Sequence, residues 1–416
     1  MSNTVEAGVS MRTDEVFEVG KLPELGVVPR KMYASVIRPD RYGDPISAFQ
    51  TELIDVPEIP AGFVLVAVMA AGINYNNAWA AKGQPLDVIR ARMRGGEKEE
   101  FHVGGSEGSG IVWAVGDGVH SVKVGDPVLM TGARWDETAT DIRNGRDPMM
   151  SDSQKTWGYE LNYGSFAQFA LVAELQCIPK PDTLSWEESA CFLLTAATAY
   201  RQLTHWAPNR VEPGSVVLVW GASGGLGSMA CQIVNMFGGR AIGVVSGKEK
   251  ADFCLANGAV GVIDRSEFRH WGQLPVPDTE EMSLWSSEVR RFGREIWQIL
   301  GERRSPDIVF EHPGESTLPT SIYICDTAGM VVLCGATSGF VATLDLRHLW
   351  MRQKRLQGSH FANLSECRAV VELAGTGRLD PCLGKVYKFE EIGRAHQDMV
   401  EGRQAFGNSA ARVGSA

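Results

Sequence analysis

The chain has 416 residues, 44% hydrophobic and 22% charged, which suits two or three packed domains and excludes long disordered tracts. Its net charge of −10 argues against a nucleic-acid binder, because that affinity needs clustered Lys and Arg that displace counterions. An anionic small molecule held in a local basic pocket remains compatible with it.

In chain order, the opening MSNTVEAGVSMRTDEVFEVG has no apolar core flanked by positive charge, so neither a signal peptide nor an anchor is expected and the protein is read as cytoplasmic. From Lys31 to about Val172, short β-branched runs broken by Gly, Pro and Asp, such as GFVLVAVMAAGINYN, predict an irregular β domain. Within it, the polar stretch from Met130 to Gly158 has no periodicity and predicts a long loop or lid. Ser185 followed by Glu188 is a capping-box pattern, and the apolar spacing of SWEESACFLLTAATAYRQL predicts a helix from that point.

After Pro213-Gly214, strand-like runs (SVVLVWGA, RAIGVVSG, GVIDR, DIVFEH, MVVLCGAT) alternate with helical segments, as parallel βαβ units do. The stretch from Ser215 to Gly239 carries no charge, yet its central glycines suit a buried strand, a turn and a buried helix rather than a membrane span. The tail returns to mixed character, with helical SECRAVVELAGTG, strand-like GKVYKF and helical EEIGRAHQDMVEG. The expected fold class is α/β: a β-rich catalytic domain in two parts, 1–185 and 346–416, around an inserted doubly wound parallel sheet at 186–345. The eight cysteines are scattered singly and predict reduced, buried thiols.

VVLVWGASGGLGSMACQIV places Gly221, Ser223, Gly224, Gly225, Leu226 and Gly227 between a strand and a helix, where missing side chains let backbone and helix N-terminus approach a pyrophosphate. The next strand ends in VVSGKEK, with no acid for ribose hydroxyls. Ser246, Lys248 and Lys250 instead offer a hydroxyl and positive charge to a 2′-phosphate, so NADPH is the expected cofactor, with Ser246 and Lys250 as its contacts.

AGINYN, VGDGVHSVKVGDPV and the inserted dinucleotide domain resemble a medium-chain dehydrogenase/reductase, with a GroES-like catalytic domain and a Rossmann-type domain. Zinc-dependent members place a Cys where this chain has INYN, a His-Glu pair where it has Ser106-Glu107, and a four-Cys lobe that is absent here. The resemblance therefore implies no metal. Within the zinc-free branch, KMYASVIRPDRYGDP, INYNNAW, KTWGYELNYGSFAQF, TAYRQL, WGASGGLG, VFEHPGE, LWMRQKRLQGSHFAN and FGNSAA resemble crotonyl-CoA carboxylase/reductases.

That resemblance implies hydride transfer from NADPH to Cβ of a short enoyl-CoA, crotonyl-CoA or acryloyl-CoA, and attack of the enolate on CO2 to give an alkylmalonyl-CoA such as ethylmalonyl-CoA. It implies that CO2 is held by Asn76, Tyr159, Glu160 and His360, with Glu160 ordering a water and orienting His360, and that the protein assembles as a dimer of dimers. Taken alone, His360 beside Phe361 in an apolar run suits a satisfied core histidine, and Asn74 suits a residue that satisfies backbone groups. The run Arg352, Lys354, Arg355 is either a CoA-phosphate contact or a solvated helix face. A reductase that protonates the enolate without fixing CO2, and a non-enzymatic NADPH-binding protein, are the competing readings.

Overall fold

A computed structural model describes residues Met11–Gly414; the first ten residues of the stretch read above for a leader lie outside the described residues. The chain divides into two compact units, one running to Leu194 and resuming at Asn363, the other comprising Thr195–Ala362. The first division falls later than 185/186 because the helix Trp186–Cys191 packs on the strands Phe63–Gly72 and Gly108–Val115 of the first unit. The second falls later than 345/346 because Arg355–Gly358 is still a strand of the inserted sheet.

The first unit is built on Phe63–Gly72, buried from Val64 onward. Two antiparallel neighbours, Gly108–Val115 and Phe169–Ala173, pair with it, and Asn408–Arg412 from the tail adds a further pairing near its end. Such a run reads as continuously apolar because both faces are covered. The segment read as a featureless loop is in fact tied down. Ala133–Arg134 pairs with Lys155–Thr156, and single helical turns stand at Thr140–Arg143 and Pro148–Met150.

The second unit is a six-stranded parallel sheet in the spatial order Ala259–Asp264, Arg240–Val245, Val216–Trp220, Ile308–Glu311, Met330–Leu333, Arg355–Gly358. The first five are the five runs picked out in the sequence, and the order is that of a Rossmann-type doubly wound sheet. The charge-free stretch resolves into the strand Val216–Trp220, a turn and the helix Gly225–Met236. Among the described residues no helix is long and apolar enough to cross a membrane. All eight cysteines are free, and all but Cys334 are buried.

Burial also fixes a pH response. His102 is pushed down to about 3, and His270, His312 and His396 to about 4, chiefly by desolvation. Glu107 and Glu311 are pushed up to about 7 by the same cause. The histidines stabilise the fold fully above pH 6.5 and lose that contribution on acidification, while the two raised carboxyls contribute in the opposite direction. Between pH 6 and 5 the unfolded chain therefore binds about two more protons than the folded one from these six groups. Stability to chemical denaturation should fall by roughly 2–3 kcal/mol per pH unit in that window, and a flat profile would contradict the burial of the histidines.

Candidate active site

In the first unit, the strand Phe63–Gly72 delivers the chain into the helix Tyr75–Lys82 through Ile73-Asn74. Asn74 stands at the N-cap but does not cap the helix with its side chain. Its amide instead donates to Glu107 Oε1 at 2.6 Å, so it satisfies a buried carboxyl rather than the backbone groups expected for it. Asn76, half-buried on the first turn, donates through Nδ2 to Ser106 Oγ at 2.7 Å and accepts through Oδ1 from Asn77 Nδ2 at 3.0 Å. Asn77 Oδ1 accepts from the Gly105 N–H at 3.0 Å. These bonds join residues 76–77 to residues 105–106 and fix which face of the Asn76 amide carries nitrogen. Each amide nitrogen carries two hydrogens, and Ser106 takes one of those on Asn76.

The Thr156–Leu161 turn packs on the same backbone. Gly158 has a φ of +71°, and a Cβ there would stand 2.0 Å from the Gly105 carbonyl oxygen, so only glycine fits. The turn closes through the Glu160 and Leu161 N–H groups on the Thr156 carbonyl. The Tyr159 hydroxyl donates to the Gln84 carbonyl at 3.2 Å, and burial together with neighbouring Glu160 raises it to about 12. Glu160 Oε2 accepts from the Thr156 N–H at 2.8 Å, and Oε1 lies 3.6 Å from Lys155 Nζ. Asn76 and the turn that carries Tyr159 and Glu160 thus both stand against residues 105–106, while the side chains of Tyr159 and Glu160 are bonded to Gln84 and Thr156.

His360 belongs to the second unit, after the strand Arg355–Gly358, and is exposed, unlike a core histidine. Of the basic run before it, Arg352 is exposed, while Lys354 and Arg355 are committed within their own unit. Lys354 Nζ donates to the carbonyls of Ile322 and Tyr323, and the Arg355 guanidinium donates to the Ala207 carbonyl and to Asn209 Oδ1. Arg347 is held by Asp345. These donors are used in organising their own unit.

The dinucleotide turn follows the strand Val216–Trp220. Gly221 has a φ of +59°, and a Cβ there would meet His312 Nε2 at 2.6 Å. Because a carbonyl only accepts, His312 Nε2 donates its hydrogen to the Trp220 carbonyl at 3.1 Å, consistent with a neutral imidazole. At Gly227 a Cβ would fall 2.3 Å from the Gly221 carbonyl oxygen, so the helix can approach the turn only without a side chain. No side chain caps the helix Gly225–Met236, and Ser223, Gly224, Gly225 and Leu226 are all partly exposed. This cradle fits a pyrophosphate, with N–H groups and the helix dipole facing it. Past the next strand, Lys250 Nζ donates to Ser246 Oγ at 2.6 Å, which places cation and hydroxyl together at the strand end. Lys248 turns away to Glu267 at 2.8 Å.

Ser106, Asn77 and His312 escape sequence reading because their partners lie far along the chain. Ser106 and Glu107 appear there only as replacements for zinc-binding residues. Among the described residues no three His, Cys, Asp or Glu side chains group as a metal site would require.

Comparison with known proteins places this geometry. The alcohol dehydrogenase GroES-like domain family matches residues 60–182, and the zinc-binding dehydrogenase family matches residues 225–376. A crotonyl-CoA carboxylase/reductase of Cereibacter sphaeroides is 48% identical over 96% of this chain and 91% of its own. The solved structure of the crotonyl-CoA carboxylase/reductase AntE in complex with NADP is 55% identical, covering 96% of this chain and 99% of its own with a TM-score of 0.92. That of the 2-octenoyl-CoA carboxylase reductase CinF in complex with NADP and 2-octenoyl-CoA is 35% identical, covering 92% and 88% with a TM-score of 0.81. Since likeness at this level runs through both units and nearly the whole length, the chain belongs to the crotonyl-CoA carboxylase/reductase family of medium-chain dehydrogenase/reductases.

Proposed function

We propose that this chain catalyses the NADPH-dependent reductive carboxylation of a short enoyl-CoA, crotonyl-CoA first and acryloyl-CoA next, giving ethylmalonyl-CoA from the former. The observation that carries the reading is the fixed amide of Asn76, which gives one hydrogen to Ser106 and has no second acceptor for that nitrogen among the described residues. CO2 has no net dipole and only weak acceptor oxygens, so holding it requires a donor already set in place.

Bound NADPH supplies the hydride that reduces Cβ and leaves an enolate at Cα. Gly221, Ser223, Gly224, Gly225, Leu226 and Gly227 receive its pyrophosphate, and Ser246 with Lys250 receives its 2′-phosphate. Asn76 then holds the CO2 oxygen while Cα forms the new C–C bond. The chief competing event is protonation of the enolate, so the groups nearby must keep their protons. Tyr159 suits that demand, because its hydrogen is committed to the Gln84 carbonyl and its acidity is low. Glu160 is already occupied as an acceptor, taking the Thr156 N–H and lying beside Lys155. The family pattern assigns His360 to the same step. The protein is further proposed to act in the cytoplasm as a dimer of dimers, in line with its reduced thiols and its family.

Replacing Lys250 with alanine should raise KM for NADPH about tenfold or more, the worth of one charge-assisted phosphate contact, while leaving KM for NADH nearly unchanged. Equal effects on both cofactors would remove Lys250 from the phosphate site. The function itself is tested by identifying the product after turnover of crotonyl-CoA and NADPH at saturating CO2. Ethylmalonyl-CoA is expected, and butyryl-CoA alone would favour the plain reductase reading.

A further inference from the structure

The buried carboxyl of Glu107 has no part in the chemistry above, yet it adjoins the residue that fixes Asn76. It is 1% exposed, and a Cβ on Gly72 would stand 2.4 Å from its Oε1, so backbone closes around it. Oε1 accepts from Asn74 Nδ2 at 2.6 Å, and Oε2 accepts from the Leu194 N–H at 2.8 Å, with the Leu193 N–H also directed at the carboxyl. The predicted helix from Ser185 in fact breaks at Phe192 and restarts as Leu193–Thr204, so Glu107 meets the unpaired N–H groups of that second helix. Its main-chain carbonyl is held by Ser165 Oγ at 2.5 Å.

Two adjacent residues therefore grip two positions of one tripeptide. Ser106 holds the side chain of Asn76, and Glu107 holds that of Asn74. We propose that Glu107, as a carboxylate, is a positioning residue for Asn76, and that the share of enolate captured by CO2 rather than by a proton follows its ionisation. This rests on the reading of Asn76 as a CO2 ligand.

The physical reason is donor count. A carboxylate offers only acceptors to the three N–H groups directed at it. Protonation turns one oxygen into a donor facing donors, and one of those groups loses its partner. Asn74 leads directly into the turn that carries Asn76, so its release loosens that amide. Burial raises Glu107 to about 7 against the pull of its three donors, which puts the change within the working range of pH. The titratable groups facing it are the thiols of Cys191 and Cys367, both raised by burial and by the charge of Glu107 itself, so both stay neutral there.

The test measures the ratio of ethylmalonyl-CoA to butyryl-CoA from pH 8 to pH 6 in the NADPH-loaded full-length enzyme, with dissolved CO2 rather than bicarbonate held constant. In the wild type the ratio should fall about tenfold, following the ionised fraction of a group centred near 7. In Glu107→Gln it should sit about tenfold below the wild-type value at pH 8 and stay flat, which a merely structural role would not produce. A flat wild-type profile overturns the proposal even if the variant does not fold, and so does a variant that keeps the wild-type slope. A wild type that makes no ethylmalonyl-CoA at any pH overturns the functional reading beneath it instead.

Discussion

Asn76→Leu should turn the product from ethylmalonyl-CoA to butyryl-CoA, lowering the ratio of carboxylated to reduced product by about 10- to 100-fold. That range corresponds to one lost hydrogen bond worth about 1.4–2.7 kcal/mol to a ligand oxygen. Leucine has the same heavy-atom branching as asparagine, though its methyl groups are bulkier, and Ser106 Oγ and Asn77 Nδ2 both lose their partner. The loss should therefore appear also as a lower thermal midpoint. Asn76→Asp separates the two effects: a carboxylate still accepts from Asn77 and takes the Ser106 hydroxyl, yet has no hydrogen for CO2. Its product should shift as in the leucine variant while its stability stays nearer the wild type. Chromatography of the acyl-CoA products at saturating CO2 measures the ratio directly, and an unchanged ratio in both variants would remove Asn76 from the CO2 step.

Gly158→Ala should cost about 3 kcal/mol or more of stability and reduce carboxylation with it, an effect in the upper tail for a single added methyl. The residue sits at φ +71°, and the new Cβ would stand 2.0 Å from the Gly105 carbonyl oxygen. Both sides of that contact are backbone, so no side chain can rotate to relieve it. Either the Thr156–Leu161 turn lifts, carrying Tyr159 and Glu160 with it, or Gly105 moves and disturbs the bond to Asn77. Gly145 provides the control, with a φ of +87° and nothing within 4 Å of an added Cβ. Gly145→Ala should cost only about 1 kcal/mol, the conformational penalty alone. Equal effects at the two positions would mean that packing on Gly105 does not matter.

Much of the fold is legible in the sequence because parallel strands covered on both faces must be continuously apolar. SVVLVWGA and MVVLCGAT are strands for that reason. RLQG, the sixth strand, is four residues long and at the sheet edge, so its pattern carries no such mark, and Lys354 before it and Arg355 at its start look like ligand donors although their partners lie in their own unit. The break at Phe192 is equally hidden, since helical spacing continues across it and Glu107, which takes up the N–H groups of Leu193 and Leu194, is brought from far along the chain.

The site follows the same division. The glycine turn is local chemistry and can be read from spacing, and the clearances around Gly221 and Gly227 give the physical reason. The residues that fix Asn76 are not local. Ser106 lies 30 positions away and Glu107 lies 33 from Asn74, and neither interval corresponds to any repeat of helix or strand.

Whether the enolate is captured by CO2 is decided by the carbon incorporated from labelled CO2 per NADPH oxidised, with crotonyl-CoA as substrate. If the Asn76 amide holds CO2 beside the enolate, close to one labelled carbon should be fixed for each NADPH consumed at saturating CO2. Full NADPH oxidation with unlabelled butyryl-CoA as the sole product would contradict it.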